Sequence, residues 1–165
     1  MQELITLRDA AQSTGTNPST LRDWISKGVI SGAVEIKSRG MAGGRKGYYP
    51  MAIIGEIQTA LRMQEDGLTL ETIAGAREVA LRAMQDPLYE QGQPEEDMAL
   101  IATRGPAARQ WLSIYANVTG DETAAAALRR VEAELSAFLT LFVKKLRGDM
   151  SDIIGQIVVE QPNNI

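Results

Sequence analysis

The sequence contains no cysteine and no histidine among its 165 residues, and aromatic residues make up only 5% of it. Disulfides, iron–sulfur clusters and structural zinc sites need thiolate or imidazole groups, so the sequence excludes them. A cysteine nucleophile and a histidine general base are excluded for the same reason. Asp and Glu show neither metal-ligand spacing nor a convincing carboxylate pair, so we expect no enzyme, no metal and no cofactor.

Long hydrophobic runs are missing as well. The longest apolar cluster, FLTLFV at residues 138–143, is far shorter than the roughly 20 residues that cross a bilayer. The N-terminal MQELITLRDAA lacks the charged-then-apolar order of a signal peptide. Since hydrophobic residues make up 44% and charged residues 23% of the chain, we expect a globular protein of the cytoplasm with no membrane partner.

The net charge of −4 conceals an uneven distribution. Residues 1–50 contain seven Lys/Arg against four Asp/Glu, whereas residues 85–165 contain seven against twelve. The N-terminal part is therefore basic and suited to a polyanion, and the C-terminal part is acidic.

Capping residues predict two short helices near the N-terminus. Thr6 is a suitable N-cap for the first helix, and Gly15 a suitable end. Asn17 and Pro18 are typical of the start of the second helix, and Gly28 of its end. Two helices joined by a short turn that contains Gly form a helix-turn-helix.

The second helix has an apolar face and a polar end. Leu21, Trp24 and Ile25 recur at helical spacing, and we expect Trp24 to fill the core. Asp23 could accept a hydrogen bond from a cytosine amino group, but we expect it to form a salt bridge with Arg22 or Lys27. If the exposed end enters a major groove, its candidate DNA contacts are Ser19, Thr20, Arg22 and Lys27. These residues could equally form the solvated face of a capped helix.

Residues 33–50 predict a β-hairpin, or wing. AVEIKS and RKGYYP have the composition of strands, and RGMAGG between them that of a turn. No acid occurs between Glu35 and Glu56, so the hairpin is a positive patch suited to phosphates, or alternatively a solubilising loop. Its candidate DNA contacts are Lys37, Arg39, Arg45 and Lys46.

The rest of the chain is predicted to be helical. One amphipathic helix ends at Gly67, the next starts after Thr69 and fades by Met84, and QDPLYEQGQPEED has the composition of a linker. Two further helices are predicted on either side of Gly105 and Pro106, followed by a last helix from Asp121 to Gly148 and a tail in strand or coil. Trp111 and Tyr115 are candidates for an apolar ligand pocket, or simply for the core.

The last predicted helix has a heptad seam. Its apolar residues recur at alternating steps of three and four, at Leu128, Val131, Leu135, Phe138 and Phe142. The seam could pack within its own chain or against a second copy, and we favour dimerisation because a dimer places two recognition helices on one face of DNA.

The linked motifs STLRDW, KGVI, GYYP and MQEDGLTLETI resemble the N-terminal winged-helix domain of the MerR family of bacterial transcription regulators, over about residues 4–82. The family's two aromatics after the Arg are replaced by Asp23 and Trp24, and the wing is longer than is usual. The resemblance implies DNA contacts by Arg22 and by Tyr48 or Tyr49, and by analogy an action on RNA polymerase. It does not extend beyond residue 85.

We therefore predict a mainly α protein: a winged helix-turn-helix DNA-binding domain at 1–84, a linker at 85–97 and an all-helical dimerisation or sensing domain at 98–165. The predicted function is sequence-specific regulation of transcription, by a homodimer bound to an inverted repeat in double-stranded DNA. The alternatives are a phage- or plasmid-type architectural factor resembling an excisionase, and a protein-interaction adaptor whose wing binds an acidic partner.

Overall fold

The computed structural model describes residues 2–38, 40, 43–86 and 95–160. Within them the chain forms three short strands and six helices. In chain order these are β1 (Leu4–Thr6), α1 (Leu7–Thr14), α2 (Pro18–Ser26), β2 (Glu35–Ser38), β3 (Arg45–Pro50), α3 (Ile53–Glu65), α4 (Leu70–Gln85), α5 (Glu95–Thr119) and α6 (Glu122–Glu160). The fold is mostly helical, as predicted.

The two N-terminal helices form as their capping residues predict. The Thr6 side chain accepts a hydrogen bond from the Asp9 N–H at the start of α1, and Gly15 ends that helix with a φ of 66°. The Asn17 side chain accepts from the Ser19 N–H at 2.9 Å at the start of α2. Each cap satisfies an amide that the helix itself leaves without a partner.

The wing is part of a three-stranded antiparallel sheet in the order β1-β3-β2. The predicted hairpin is present, with Lys37 opposite Lys46 and Ser38 opposite Arg45. Strand β1 was not predicted, because three residues are too short for an alternating pattern to be visible. It pairs Ile5 with Tyr49 and so joins the wing to the start of α1.

A continuous hydrophobic core connects the N-terminal elements to the C-terminal helices. Trp24 is 3% exposed, which confirms its prediction as a core residue. Helix α5 packs on both α3 and α4 and contributes Trp111 and Leu112, which are fully buried. Helix α6 packs against α4 and α5 through small or branched side chains at Ala124, Ala127 and Val131.

Two predicted helix ends are wrong. Gly105 and Pro106 lie inside the continuous helix α5, because losing one backbone hydrogen bond at Pro106 is offset by packing on α3 and α4. Gly148 lies inside α6, which continues to Glu160. An interior Gly costs only about 1 kcal/mol, and apolar residues continue at helical spacing beyond it, so the tail up to Glu160 is helix and neither strand nor coil. Of the predicted linker, residues 87–94 lie outside the described residues, and 95–97 belong to α5.

Candidate nucleic-acid interface

The exposed end of α2 displays polar side chains, as a recognition helix requires. Ser19, Thr20 and Arg22 are exposed, whereas Leu21 and Trp24 on the opposite face are buried. The Ser19 hydroxyl donates to the Asn17 side chain at 2.8 Å, which holds the first turn in place. The N-terminal end of α2 therefore combines hydroxyl groups with a cationic side chain.

Asp23 and Lys27 form an ion pair one turn apart on α2. The Lys27 Nζ and an Asp23 carboxylate oxygen are 2.8 Å apart, which confirms the predicted salt bridge and assigns it to Lys27 rather than Arg22. The two charges largely cancel, so Lys27 adds less positive potential than Arg22 does.

The wing carries its cations around one aromatic ring. The Nζ atoms of Lys37 and Lys46 lie 5.2 and 5.5 Å from the centre of the Tyr48 ring, within cation–π range. Glu35 also approaches Lys37, with 3.4 Å between the charged atoms. These contacts hold two long side chains on the wing without neutralising Lys46. Arg39 lies outside the described residues.

A polar groove of about 720 Å³ joins α2 to the wing. It brings together four residues that the sequence predicts as DNA contacts, and it adds Arg8 of α1, which sequence reasoning missed. Arg8 is exposed between two first-turn residues of α1, a position that could have been recognised from the predicted helix. The residues lining the groove are Thr6, Leu7, Arg8, Asp9, Gln12, Arg22, Arg45, Lys46, Gly47 and Tyr49.

Gly47 allows the wing to close on Tyr49. A Cβ atom at position 47 would lie 3.2 Å from the Tyr49 hydroxyl and 3.3 Å from the Ala33 Cβ. The absence of a side chain thus lets Tyr49 lie across the strand, where it lines the groove. Tyr48, Lys37, Ser19 and Thr20 are not among the lining residues.

The candidate pocket residues of α5 are in the core. Trp111 and Tyr115 are stacked, with ring centres 4.6 Å apart and planes 15° apart, and both are buried. Neither lines a described groove, and their binding of a ligand stays a prediction. An apolar groove of about 540 Å³ between α5 and α6 is lined instead by Ala102, Pro106, Arg109, Glu132, Leu135, Ser136, Phe138 and Leu139.

The predicted seam of the last helix divides between two environments. Val131 is buried, and Leu128, Leu135 and Phe138 pack partly buried against the same chain. Phe142 is 49% exposed and stacks on Phe138, with ring centres 6.0 Å apart. From Leu139 to Ile157 every residue of α6 is exposed.

Comparison with known proteins gives one match. Residues 5–78 match the family model described as MerR HTH family regulatory protein. The N-terminal domain is a MerR-family domain. The match runs from β1 into α4 and includes α2, the wing and the polar groove. No curated protein and no solved structure matches the chain.

The match supports a DNA-binding regulatory role for this N-terminal domain. Its groove has the composition that such a role requires, with cations from three elements around one concave surface. In the part of the chain that the structure describes, no helix has both the length and the apolar character to cross a membrane.

Proposed function

We propose that this protein is a sequence-specific regulator of transcription that binds an inverted repeat in double-stranded DNA as a homodimer. The polar groove carries the proposal. It collects Arg8, Arg22, Arg45 and Lys46 around one surface, and Asp9 is the one acid that lines it. Asp9 is itself engaged, because it accepts a hydrogen bond from the Thr6 hydroxyl at 2.6 Å. The surface therefore suits the phosphate backbone beside a major groove.

The recognition helix and the wing have different roles in this proposal. Ser19, Thr20 and Arg22 enter the major groove, where an Arg can bind guanine through two hydrogen bonds. The cations of the wing bind the adjacent backbone, and the Tyr49 hydroxyl in the polar groove donates to a phosphate. The wing cations are Lys37, Arg39, Arg45 and Lys46, with Arg39 included on the sequence alone.

The exposed half of α6 supports dimerisation. Six apolar side chains recur there at alternating steps of four and three, which is the spacing of a two-stranded coiled coil. This set is offset by one residue from Phe138, which packs against the chain's own core, and from Phe142, which stacks on Phe138. We call these six side chains the exposed seam. They are Leu139, Val143, Leu146, Met150, Ile153 and Ile157, each 43% to 59% exposed.

Charge along α6 favours an antiparallel pair. Lys144, Lys145 and Arg147 precede Gly148, whereas Asp149 and Asp152 follow it. A parallel pair places like charges side by side, and an antiparallel pair places the basic half of one copy beside the acidic half of the other. The exposed seam is self-complementary in that orientation, because Leu139 then lies opposite Ile157, Val143 opposite Ile153, and Leu146 opposite Met150.

A dimer of this kind accounts for the division of the chain. Residues 1–84 contact DNA, and residues 98–165 hold the second copy, with their acidic surface away from the phosphates. The two-fold symmetry of the protein requires an inverted repeat in the DNA. By analogy with the family, the bound dimer acts on RNA polymerase within the nucleoid, and it has no enzymatic activity of its own.

The test is selection of bound sequences from random duplex DNA by the full chain, at two salt concentrations. Arg22→Ala is compared with Arg129→Ala, an exposed cation of α6 that removes the same charge outside the groove. We expect an inverted repeat that binds less tightly at higher salt. Arg22→Ala should weaken its binding by about 1–3 kcal/mol, and Arg129→Ala should leave it within about 0.5 kcal/mol.

Other outcomes favour other functions. Tandem sites without two-fold symmetry, bound by a monomer that bends the DNA, would replace the regulator with an architectural factor that resembles an excisionase. Failure to retain any duplex at low salt would contradict DNA binding and favour a protein-interaction adaptor.

A further inference from the structure

A buried ionic cluster holds the turn that follows the recognition helix. Glu56 of α3 is 4% exposed, and Arg77 of α4 approaches it with 3.2 Å between Nη2 and Oε1. The third member is Ser31, which lies between the end of α2 and the wing. We call Ser31, Glu56 and Arg77 the clamp.

The clamp binds both ends of residues 28–31. The Ser31 N–H and hydroxyl donate to the two oxygens of Glu56, at 2.6 and 2.8 Å. Arg77 donates to the Ser31 hydroxyl at 2.8 Å and to the Gly28 carbonyl at 3.4 Å. The backbone of this turn is therefore held to α3 and α4 at its first and its last residue.

The residues inside the turn are anchored too. Val29 and Ile30 are 0% and 1% exposed, so the core holds the centre of the turn while the clamp holds its ends. The turn directly connects α2 to the segment that leads into β2, and these are the two elements that the proposed function assigns to DNA.

Core packing alone does not explain a buried ion pair. Taking two charges out of water costs several kcal/mol per ion before their mutual attraction is counted, and an apolar pair of similar volume often stabilises a fold as well or better. What the polar cluster adds is direction, because two of its hydrogen bonds hold backbone groups of the turn, the Ser31 N–H and the Gly28 carbonyl.

We infer that Glu56 and Arg77 are positioning residues for DNA recognition, which set the orientation of the recognition helix relative to the wing. This inference rests on the proposed function for its effect on DNA, and on the clamp geometry alone for its effect on orientation. Specific DNA requires the helix and the wing to fit one site simultaneously, whereas non-specific binding requires only cations near phosphates. Loosening the clamp should therefore reduce specific binding much more than non-specific binding.

The C-terminal helices reach the clamp through α5. Tyr115 packs against Gly55, the neighbour of Glu56, since a Cβ at Gly55 would lie 3.2 Å from its ring. Burial, together with the charges of Glu56 and Asp121, raises the pKa of Tyr115 to about 12. The contact connects the clamp to the part of the molecule that carries the exposed seam.

The first experiment measures orientation without DNA. Because the chain contains no cysteine, Thr20→Cys and Ser38→Cys introduce two spin labels, one on α2 and one on the wing, with no competing thiol. We expect a narrow distance distribution in the parent and a broader or shifted one in Glu56→Gln. Glu65→Gln is the matched control, because it removes the same charge from an exposed position of the same helix.

The second experiment compares the selected inverted repeat with random duplex DNA at a temperature where every variant is folded. Glu56→Gln and Arg77→Gln should lose about tenfold or more in affinity for the repeat. Their affinity for random duplex should stay within about twofold of the parent. Glu65→Gln should match the parent on both.

Ser31→Ala is a milder variant, which tests the inference even if Glu56→Gln or Arg77→Gln does not fold. It removes only the hydroxyl, which donates to Glu56 and accepts from Arg77, and it keeps the backbone N–H that donates to Glu56. An unchanged label distance in each of Ser31→Ala and Glu56→Gln that folds, with an unchanged ratio of specific to random binding, would overturn the inference and leave the clamp a purely structural ion pair. If the parent binds no duplex at all, the proposed function fails, and the label distances alone decide whether the clamp sets the orientation.

Discussion

Gly55 lies where α3 and α5 approach each other closely. A Cβ at this position would lie 2.3 Å from the Thr119 Cγ2 atom, nearer than two carbon atoms can approach unless Thr119 or one of the helices shifts. Gly55→Ala should therefore destabilise the fold by about 1–3 kcal/mol, although Ala is the better helix former by about 1 kcal/mol. Denaturant unfolding followed by circular dichroism measures the change.

Two variants test the cause of that loss. Gly75→Ala in α4 has no atom within 4 Å of the new Cβ and should stabilise the fold by about 0.5–1 kcal/mol. Thr119→Ser removes the methyl group and keeps the hydroxyl that donates to the Tyr115 carbonyl. If Thr119→Ser does not restore stability to Gly55→Ala, the steric explanation is incorrect.

Tyr115 makes the free energy of unfolding vary with pH in the alkaline range. Its pKa is raised from 10.0 to about 12, chiefly by burial and then by the charges of Glu56 and Asp121. Between these two pH values the unfolded chain releases the phenolic proton and the folded chain retains it, so the free energy of unfolding falls as pH rises. Below pH 10 this contribution is fully present.

Tyr115→Phe should remove that pH dependence. Chemical denaturation of both proteins from pH 8 upward measures it, and the stability of the parent should fall relative to the variant once pH exceeds the ordinary tyrosine pKa. A constant difference between the two proteins across this range would contradict the raised pKa.

At the scale of the elements, the exposed seam of α6 is an apolar surface that a second copy could bury. Burying a half-exposed side chain of this kind is worth about 1 kcal/mol, so six from each copy supply a substantial driving force. Leu146→Glu with Ile153→Lys should convert the proposed dimer into a monomer, as measured by sedimentation equilibrium, and should keep the fold because neither residue is buried. Ser151→Glu, outside the seam, is the control and should stay dimeric.

Local rules predicted most helices, and failed where packing decides. Thr6, Asn17 and Thr69 cap their helices by accepting hydrogen bonds from amides two or three residues further along the chain. The local sequence therefore contains all the information that predicts these helix starts. Pro106 and Gly148 have the local signal of a helix boundary, yet contacts from distant elements or a continuing apolar pattern keep the helix intact.

The interface was predictable in part for the same reason. Arg22, Arg45 and Lys46 belong to elements with strong local signals, and the structure brings them to one groove. The clamp joins residues 21 to 46 positions apart, and no local pattern shows that Glu56 is buried. The sequence also did not show which part of α6 packs on its own chain and which part is exposed. A heptad seam has the same spacing of apolar residues whether it packs within a chain or between chains.

The whole molecule has a basic N-terminal part and an acidic C-terminal part, and the exposed half of α6 likewise has basic residues before Gly148 and acidic residues after it. Antiparallel pairing of α6 places Leu139 of one copy beside Ile157 of the other, whereas parallel pairing places identical residues together. The two arrangements are separable by disulfide formation, because residues 139 and 157 are about 27 Å apart along a helix and the chain has no cysteine of its own.

A mixture of Leu139→Cys and Ile157→Cys chains should form a mixed disulfide dimer on mild oxidation, and neither variant alone should form one efficiently. The cross-linked dimer should still bind the inverted repeat, because the bond lies at the ends of the seam and outside residues 1–84. Efficient cross-linking of Leu139→Cys alone would indicate a parallel pair. That arrangement would place Lys144, Lys145 and Arg147 against their copies, so its dimer would weaken as salt is removed, whereas the antiparallel dimer should tighten.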